Sequence, residues 1–304
     1  MYEFYQPRKY YIIGCVDIEL KAAKNLAKKY NINFYTDNLD SALKLKPDFI
    51  SVCTPDSTHF EVVVQILKSN FSPKIIFLEK PAMTSQEDFS QICKLAKEVG
   101  TKIIVNHSRR FDDNYKLLRD LIKSKDLGDC IRIDCWYYNG WIHNGVHLVD
   151  TLQYLFNEGL TPLSFTECNH KPSDPSDLNV QGHFLVEDTN IDVFINCMNE
   201  NNYQLFELDF KFTEGRIRVE SFEERFIIEK VYTNEIGEKV LDFKIENTIC
   251  PSNSKKNEPI VNATNIIVDI LDNDAEFDGY SIAAAEKTMK TIWDIKEKYK
   301  NEFK

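Results

Sequence analysis

The sequence predicts an α/β N-terminal domain with a helix-covered parallel sheet over residues 1–107. An α+β domain on an open, mostly antiparallel sheet is expected over 108–304. Two observations carry this. Short apolar runs alternate with amphipathic helical stretches through the first third, as in a parallel sheet buried on both faces. Beyond Ser108 the pattern changes to longer period-two runs between Leu163 and Phe243, followed by helical segments.

In the first domain, strands are expected at 10–17, 32–35, 48–54, 74–78 and 102–106. Helices are expected at 20–30, 39–45, 60–67 and 85–99. Leu20, Ala23, Leu26, Ala27 and Tyr30 form the stripe of the first helix, and Ser85 and Gly100 bracket the last. The second domain begins with a helix at 114–123, a strand at 130–138 and an apolar helix at 147–156. Six strand-like runs follow, with Gly182, Gly215 and Gly237 at turns. A polar loop at 251–258 leads to closing helices at 263–271 and 282–299, and the last helix is placed where it can pack back on the first domain.

The formal charge of −11 argues against a non-specific nucleic-acid binder, which must neutralise phosphates. No apolar run approaches membrane-spanning length, and the first nine residues lack a signal-peptide core. A cytoplasmic protein is expected. Its eight cysteines form no CxxC pair and read as reduced, buried thiols; disulfides or a thiolate metal site are the alternatives.

Four local signals suggest chemistry. Asp17 ends an apolar strand, where a carboxylate can bind ribose hydroxyls or cap a turn. Cys53-Thr54-Pro55, with His59 and Glu61 beyond, lies at a strand's carboxyl end, which faces the ligand crevice in such sheets. Glu79-Lys80-Pro81 follows IIFL; partial burial there would lower the lysine pKa toward proton transfer, and a solvated turn is the alternative. In Asn144-Gly145-Val146-His147-Leu148-Val149-Asp150, His147 can take a hydroxyl proton. Asp150 can orient that ring, or His147 can simply cap or pack. His143 and His147 are four apart, but no third ligand is nearby in sequence, so no metal is expected.

In this order, VDIELKAAKNLAKKYNINFYTD, CTPDSTHFE, FLEKP, VNHSRRF and GWIHNGVHLVD resemble the Gfo/Idh/MocA oxidoreductases, relatives of glucose-fructose oxidoreductase and inositol dehydrogenase. The likeness fades to topology across the C-terminal half. It implies a Rossmann domain binding NAD or NADP, a sugar, cyclitol or sugar-nucleotide substrate, and a homo-oligomer formed through the C-terminal sheet. Asp17, Thr54, Pro55, His59, Glu79 and Lys80 then fall at the cofactor. Arg110, Trp141, His143, Asn144 and His147 fall at a small polar substrate. Hydride transfer from a secondary hydroxyl is implied, with His147 taking the proton and Lys80 holding the oxygen. Asp17 followed by Ile18, with no arginine beside it, favours NAD over NADP.

Two departures stand against the resemblance. The family's first strand, GxGxxG loop and helix have no counterpart in the nine residues before Tyr10, none of which is glycine. The pyrophosphate grip and the central strand are thus unaccounted for. Either the sequence is shortened at its start or another segment fills the gap, and both NAD binding and no cofactor bound by this form stay open. His143 stands where an acid is usual. A degenerate, non-catalytic binding or structural subunit is the alternative to an oxidoreductase.

Overall fold

A computed structural model describes residues 10–243, 248–249 and 258–302. The N-terminal part comprises β1 (Cys15–Val16), α1 (Leu20–Tyr30), β2 (Tyr35–Thr36), α2 (Leu39–Leu43), β3 (Phe49–Val52), α3 (His59–Leu67), β4 (Ile75–Leu78), α4 (Gln86–Val99) and β5 (Lys102–Val105). All its strand pairs are parallel. Local chemistry sets the helix ends. Ser85 accepts a bond from the Asp88 N–H at 3.1 Å, and Gly100 closes α4 at φ 74°.

The parallel strands form two separate ladders, β1-β2 and β3-β4-β5, and none among the described residues joins them. The long first strand expected over 10–17 is only two residues. Its backbone pairs with Phe34–Thr36 on one side and finds no strand on the other among the described residues, so none of these holds Tyr11 to Gly14 extended. The apolar pattern there does not translate into burial: Ile12 is 70 % exposed and Ile18 90 %. On α1 only Ala23 and Ala27 are buried, and Leu20, Leu26 and Tyr30 stay in solvent.

The second part contains α5 (Asp113–Ser124), β6 (Cys130–Tyr138), α6 (Val146–Phe156), β7 (Leu160–Glu167), β8 (Val180–Val186), β9 (Asp192–Met198), β10 (Glu207–Phe212), β11 (Gly215–Glu220), β12 (Arg225–Thr233), β13 (Lys239–Leu241), β14 (Thr248–Ile249), α7 (Glu258–Asn273) and α8 (Glu286–Glu302). The sheet order is β13-β12-β11-β10-β6-β9-β8-β7, with β14 on β12; β6 and β9 are parallel and the other pairs antiparallel. It is an open sheet, as expected. Leu208, Phe210, Ile217 and Val219 face its core, while alternate positions bear a charge ladder. There Lys211 bridges Asp134 and Asp209, and Arg216 pairs with Asp209 at 2.8 Å. The polar loop at 251–258 lies outside the described residues except Glu258, which opens α7.

The closing helices pack on the N-terminal sheet. Ala263, Ile267 and Ile270 of α7 cover Ile75, Phe77 and Ile104, and Trp293 of α8 meets Phe89 edge-on at 5.4 Å. One polar contact locks this arrangement. Arg110, 3 % exposed, donates to Asp150 at 2.8 Å, to the Gly279 carbonyl at 2.8 Å and to Gln153, while Thr288 donates to Asp150 at 3.0 Å. No described helix is long and apolar enough to cross a membrane.

The two kinds of apolar residue should respond differently to substitution. Ile76 is wholly buried, so Ile76→Ala should cost about 2–5 kcal/mol in urea unfolding. Ile12→Asn should change stability by less than about 0.5 kcal/mol. A large loss at Ile12 would show that another part of the chain covers it.

Candidate active site

The site is assembled from the carboxyl ends of the parallel strands and the turn before α6. Lys80 follows β4 directly, and the Lys80–Pro81 peptide is cis. Its Nζ donates to the His143 carbonyl at 2.8 Å, linking the two parts of the chain. Glu79 beside it accepts from Asn106 Nδ2 at 2.7 Å, at the end of β5. The segment Trp141–Gly145 forms a π-helical turn, closed by the Gly145 N–H to the Gly140 carbonyl at 2.9 Å. Asp177, from a distant loop, accepts the Ile142 and His143 N–H groups, each at 3.0 Å. His143 is exposed, and Asn144 and His147 are partly exposed.

Positive charge and burial act together here. Burial lowers the Lys80 pKa, and Arg109 reinforces this against Glu79 and Asp56. Burial also holds the His147 pKa well below the ordinary histidine value, with Arg109, Lys80, His107 and His143 acting in the same sense. His147 is therefore neutral near pH 7 and able to accept a proton. Arg109 keeps its charge despite burial, because Glu223 and Tyr115 bind it; one Glu223 contact is 3.0 Å.

The sequence-predicted residues divide into three groups. Lys80, His143 and His147 lie within electrostatic reach of one another, with Lys80 bonding the His143 carbonyl, and Asn144 of the same turn donates to the Asn139 carbonyl at 3.3 Å. Asp17, Thr54 and Pro55 are exposed at the carboxyl ends of β1 and β3, and the Asp17 carboxylate accepts the Glu19 N–H at 2.8 Å. His59, Arg110 and Trp141 are enclosed. The His59 ring contacts the Thr54 and Pro81 carbonyls, both at 2.9 Å, tying the turns after β3 and β4 together. Arg110 is committed to Asp150 and its neighbours, and Trp141 is fully buried against Phe184. These three side chains support the site from behind and offer a ligand no open face. Asp150 bonds Arg110 and Thr288 rather than the His147 ring.

A nicotinamide cofactor fits this constellation in part. Exposed Asp17 and Thr54 and half-buried Lys80 follow the carboxyl ends of β1, β3 and β4, the end of the sheet where ribose and nicotinamide lie in such folds. The described residues supply no glycine loop for a pyrophosphate, and the break between β1 and β3 falls beside it.

Three contributors were not identified from sequence. Asp177 and Glu223 come from loops distant in sequence and carry no motif. His107 lay within a recognised segment, VNHSRRF, and its burial was the missing signal: it is 2 % exposed, with Nε2 3.5 Å from Asp150 Oδ1. Burial lowers its pKa to about 4. Between pH 6.5 and 4 the unfolded chain therefore binds a proton that the native chain does not, and stability rises with pH across that window. Acidification from pH 7 to 4.5 should cost the native chain about 2–3 kcal/mol through this residue. Denaturant titrations of His107→Gln should show that much less acid sensitivity; an unchanged slope would place the effect elsewhere.

Residues 2–107 match the family model described as "Oxidoreductase family, NAD-binding Rossmann fold". Inositol 2-dehydrogenase 1 of Mycolicibacterium vanbaalenii is 28 % identical over 160 residues, 49 % of this chain and 44 % of that protein. D-glucoside 3-dehydrogenase of Escherichia coli is 28 % identical over 119 residues, 39 % of this chain and 33 % of that protein. The chain thus aligns with less than half of the length of these relatives. A super-repressor mutant of Gal80p from Saccharomyces cerevisiae shares the fold at TM-score 0.76, with 16 % identity over 94 % of this chain and 88 % of that one. With ordered strand-end motifs and the family-model match in agreement, residues 2–107 are similar to the NAD-binding Rossmann part of the Gfo/Idh/MocA oxidoreductases, and the two-part fold is shared across most of the chain.

Proposed function

We propose that this chain is an NAD-linked oxidoreductase acting on a secondary hydroxyl of a sugar-like or cyclitol substrate. The observation that carries the reading is that Lys80 bonds the turn before α6 and lies within electrostatic reach of His147, with both pKa values lowered. In this reading His147, neutral at Nε2 or Nδ1, accepts the hydroxyl proton. The Lys80 ammonium holds the oxygen, and its hydrogen bond to the His143 carbonyl aims it. Positioning and charge are the protein's contributions, while a bound nicotinamide would supply the hydride acceptor. The substrate class follows the inositol and glucoside dehydrogenases among the relatives. Exposed Asp17 would accept ribose hydroxyls and repel a 2′-phosphate, hence NAD over NADP. The half-exposed charge ladder is the face such a protein would turn toward a second copy.

Calorimetric titration of the chain with NADH and NADPH tests cofactor use. NADH should bind more tightly, and Asp17→Asn should remove the difference. Equal affinities would end the NAD preference. No binding at millimolar cofactor would instead favour a non-catalytic subunit, the reading supported by the break between β1 and β3.

Turnover tests the roles of the side chains. Lys80→Met should lower kcat by about 100-fold or more. The acid limb of kcat/KM, set by His147, should fall below pH 6.5, because the shift is downward. An unchanged kcat in Lys80→Met, or a limb at or above pH 6.5, would overturn these assignments.

A further inference from the structure

Outside the cleft, Cys168, His170 and Cys197 bring one donor atom each to within 4.8 Å of one another. Cys168 directly follows β7, and Cys197 lies near the end of β9. The intervening β8 begins only at Val180, paired with Glu167, so the ends of β7 and β9 converge beyond it. Both cysteines are buried at 6 % exposure. His170 Nε2 is also buried, and no hydrogen-bond partner faces it. An orphaned imidazole nitrogen in the interior carries a desolvation cost unless something binds it. The Cys197 thiol makes a long contact, 3.8 Å, to the Met198 carbonyl, and it also lies within hydrogen-bond reach of the Cys168 thiol and the Tyr137 hydroxyl.

We propose that Cys168, His170 and Cys197 form a tetrahedral zinc site, with water in the fourth position. Two thiolates and a neutral imidazole are a donor set suited to Zn2+. Thiolate sulfurs about 2.3 Å from zinc lie less than 4 Å apart, so modest closure of the observed cluster completes the geometry. Binding releases two thiol protons to solvent and involves no redox step.

The site anchors a loop that reaches the catalytic turn. The Cys168 N–H donates to the Asn179 carbonyl at 2.8 Å, and Asn179 Nδ2 donates to the His170 carbonyl at 3.1 Å. Asn179 Oδ1 also accepts the Gly140 N–H at 2.8 Å, and Asp177 of the same loop holds Ile142 and His143. Zinc would thus staple the base of the loop that shapes the His143 turn.

The test is metal analysis of the chain purified from zinc-supplemented medium, followed by replacement with Co2+. About one zinc per chain is expected, and the cobalt form should show thiolate charge-transfer bands and intense tetrahedral d–d bands. Cys168→Ser and Cys197→Ser should each weaken zinc binding at least about tenfold, whereas Cys93→Ser should leave it unchanged. In the native chain zinc should protect Cys168 and Cys197 from alkylation, and a chelator should expose them. This readout does not depend on any variant folding. Metal-free protein after supplementation, cobalt bands that survive Cys168→Ser, absence of protection, or a Cys168–Cys197 disulfide in fresh protein would each overturn the site.

Discussion

The buried contact between Arg110 and Asp150 is the constraint on which the rest of the molecule depends. Arg110 follows the last parallel strand, Asp150 lies on α6, and the groups completing the cluster, Thr288 and the Gly279 carbonyl, come from the C-terminal segment. Three regions distant in sequence therefore meet at one guanidinium. Burying two charges is costly, and their attraction offsets that cost only when every donor and acceptor is satisfied. Here it is: Arg110 holds the Asp150 carboxyl below its usual pKa against the opposing effect of burial. This contact ties α6 to the turn after β5, in which Arg110 lies, and α6 is the helix that carries His147.

The N-terminal sheet lacks such redundancy. A strand between β1 and β3 would pair both edges and cover the apolar side chains from Tyr11 to Ile18; the described residues contain none. β3-β4-β5 remains well formed because α3 and α4 cover one face and α7 the other. β1-β2 has α1 and α2 alone, and its small core of Ala23, Ala27, Ile32 and Leu43 is correspondingly thin. The thin region is thus the one that lies next to the unpaired edges of β1 and β3.

What could be read from the sequence follows from how locally each feature is determined. α1 spans Leu20–Tyr30 and β6 spans Cys130–Tyr138 as their periodicity predicts, since each run carries its own pattern and stop. Lys80 and His147 could be singled out because each lies in a short ordered motif. β1 was over-read because strand length depends on a partner strand that no local pattern encodes. Asp177, Glu223 and the Cys168–His170–Cys197 cluster escaped for a related reason. Apart from Cys168 and His170, which are two residues apart, their partners lie 27 to 114 residues away, so only the folded chain brings them together. His59, Arg110 and Trp141 were recognised as important, but their polar or aromatic character suggested ligand contact where the fold uses them as struts.

The electrostatics around Lys80 depend on what stands at position 143. A carboxylate at position 143 would pair with Lys80 and raise its pKa. His143 is itself held below its ordinary pKa by burial and by Lys80, so it adds no charge near pH 7 and leaves the lowered lysine undisturbed. Lys80 is instead aimed by the His143 backbone carbonyl, a contact that any side chain at this position can provide. The orientation then depends on the π-helical turn, and the turn depends on Asp177 binding its two N–H groups. Control of the lysine thus rests on backbone geometry, which Asp177 of the loop between β7 and β8 maintains.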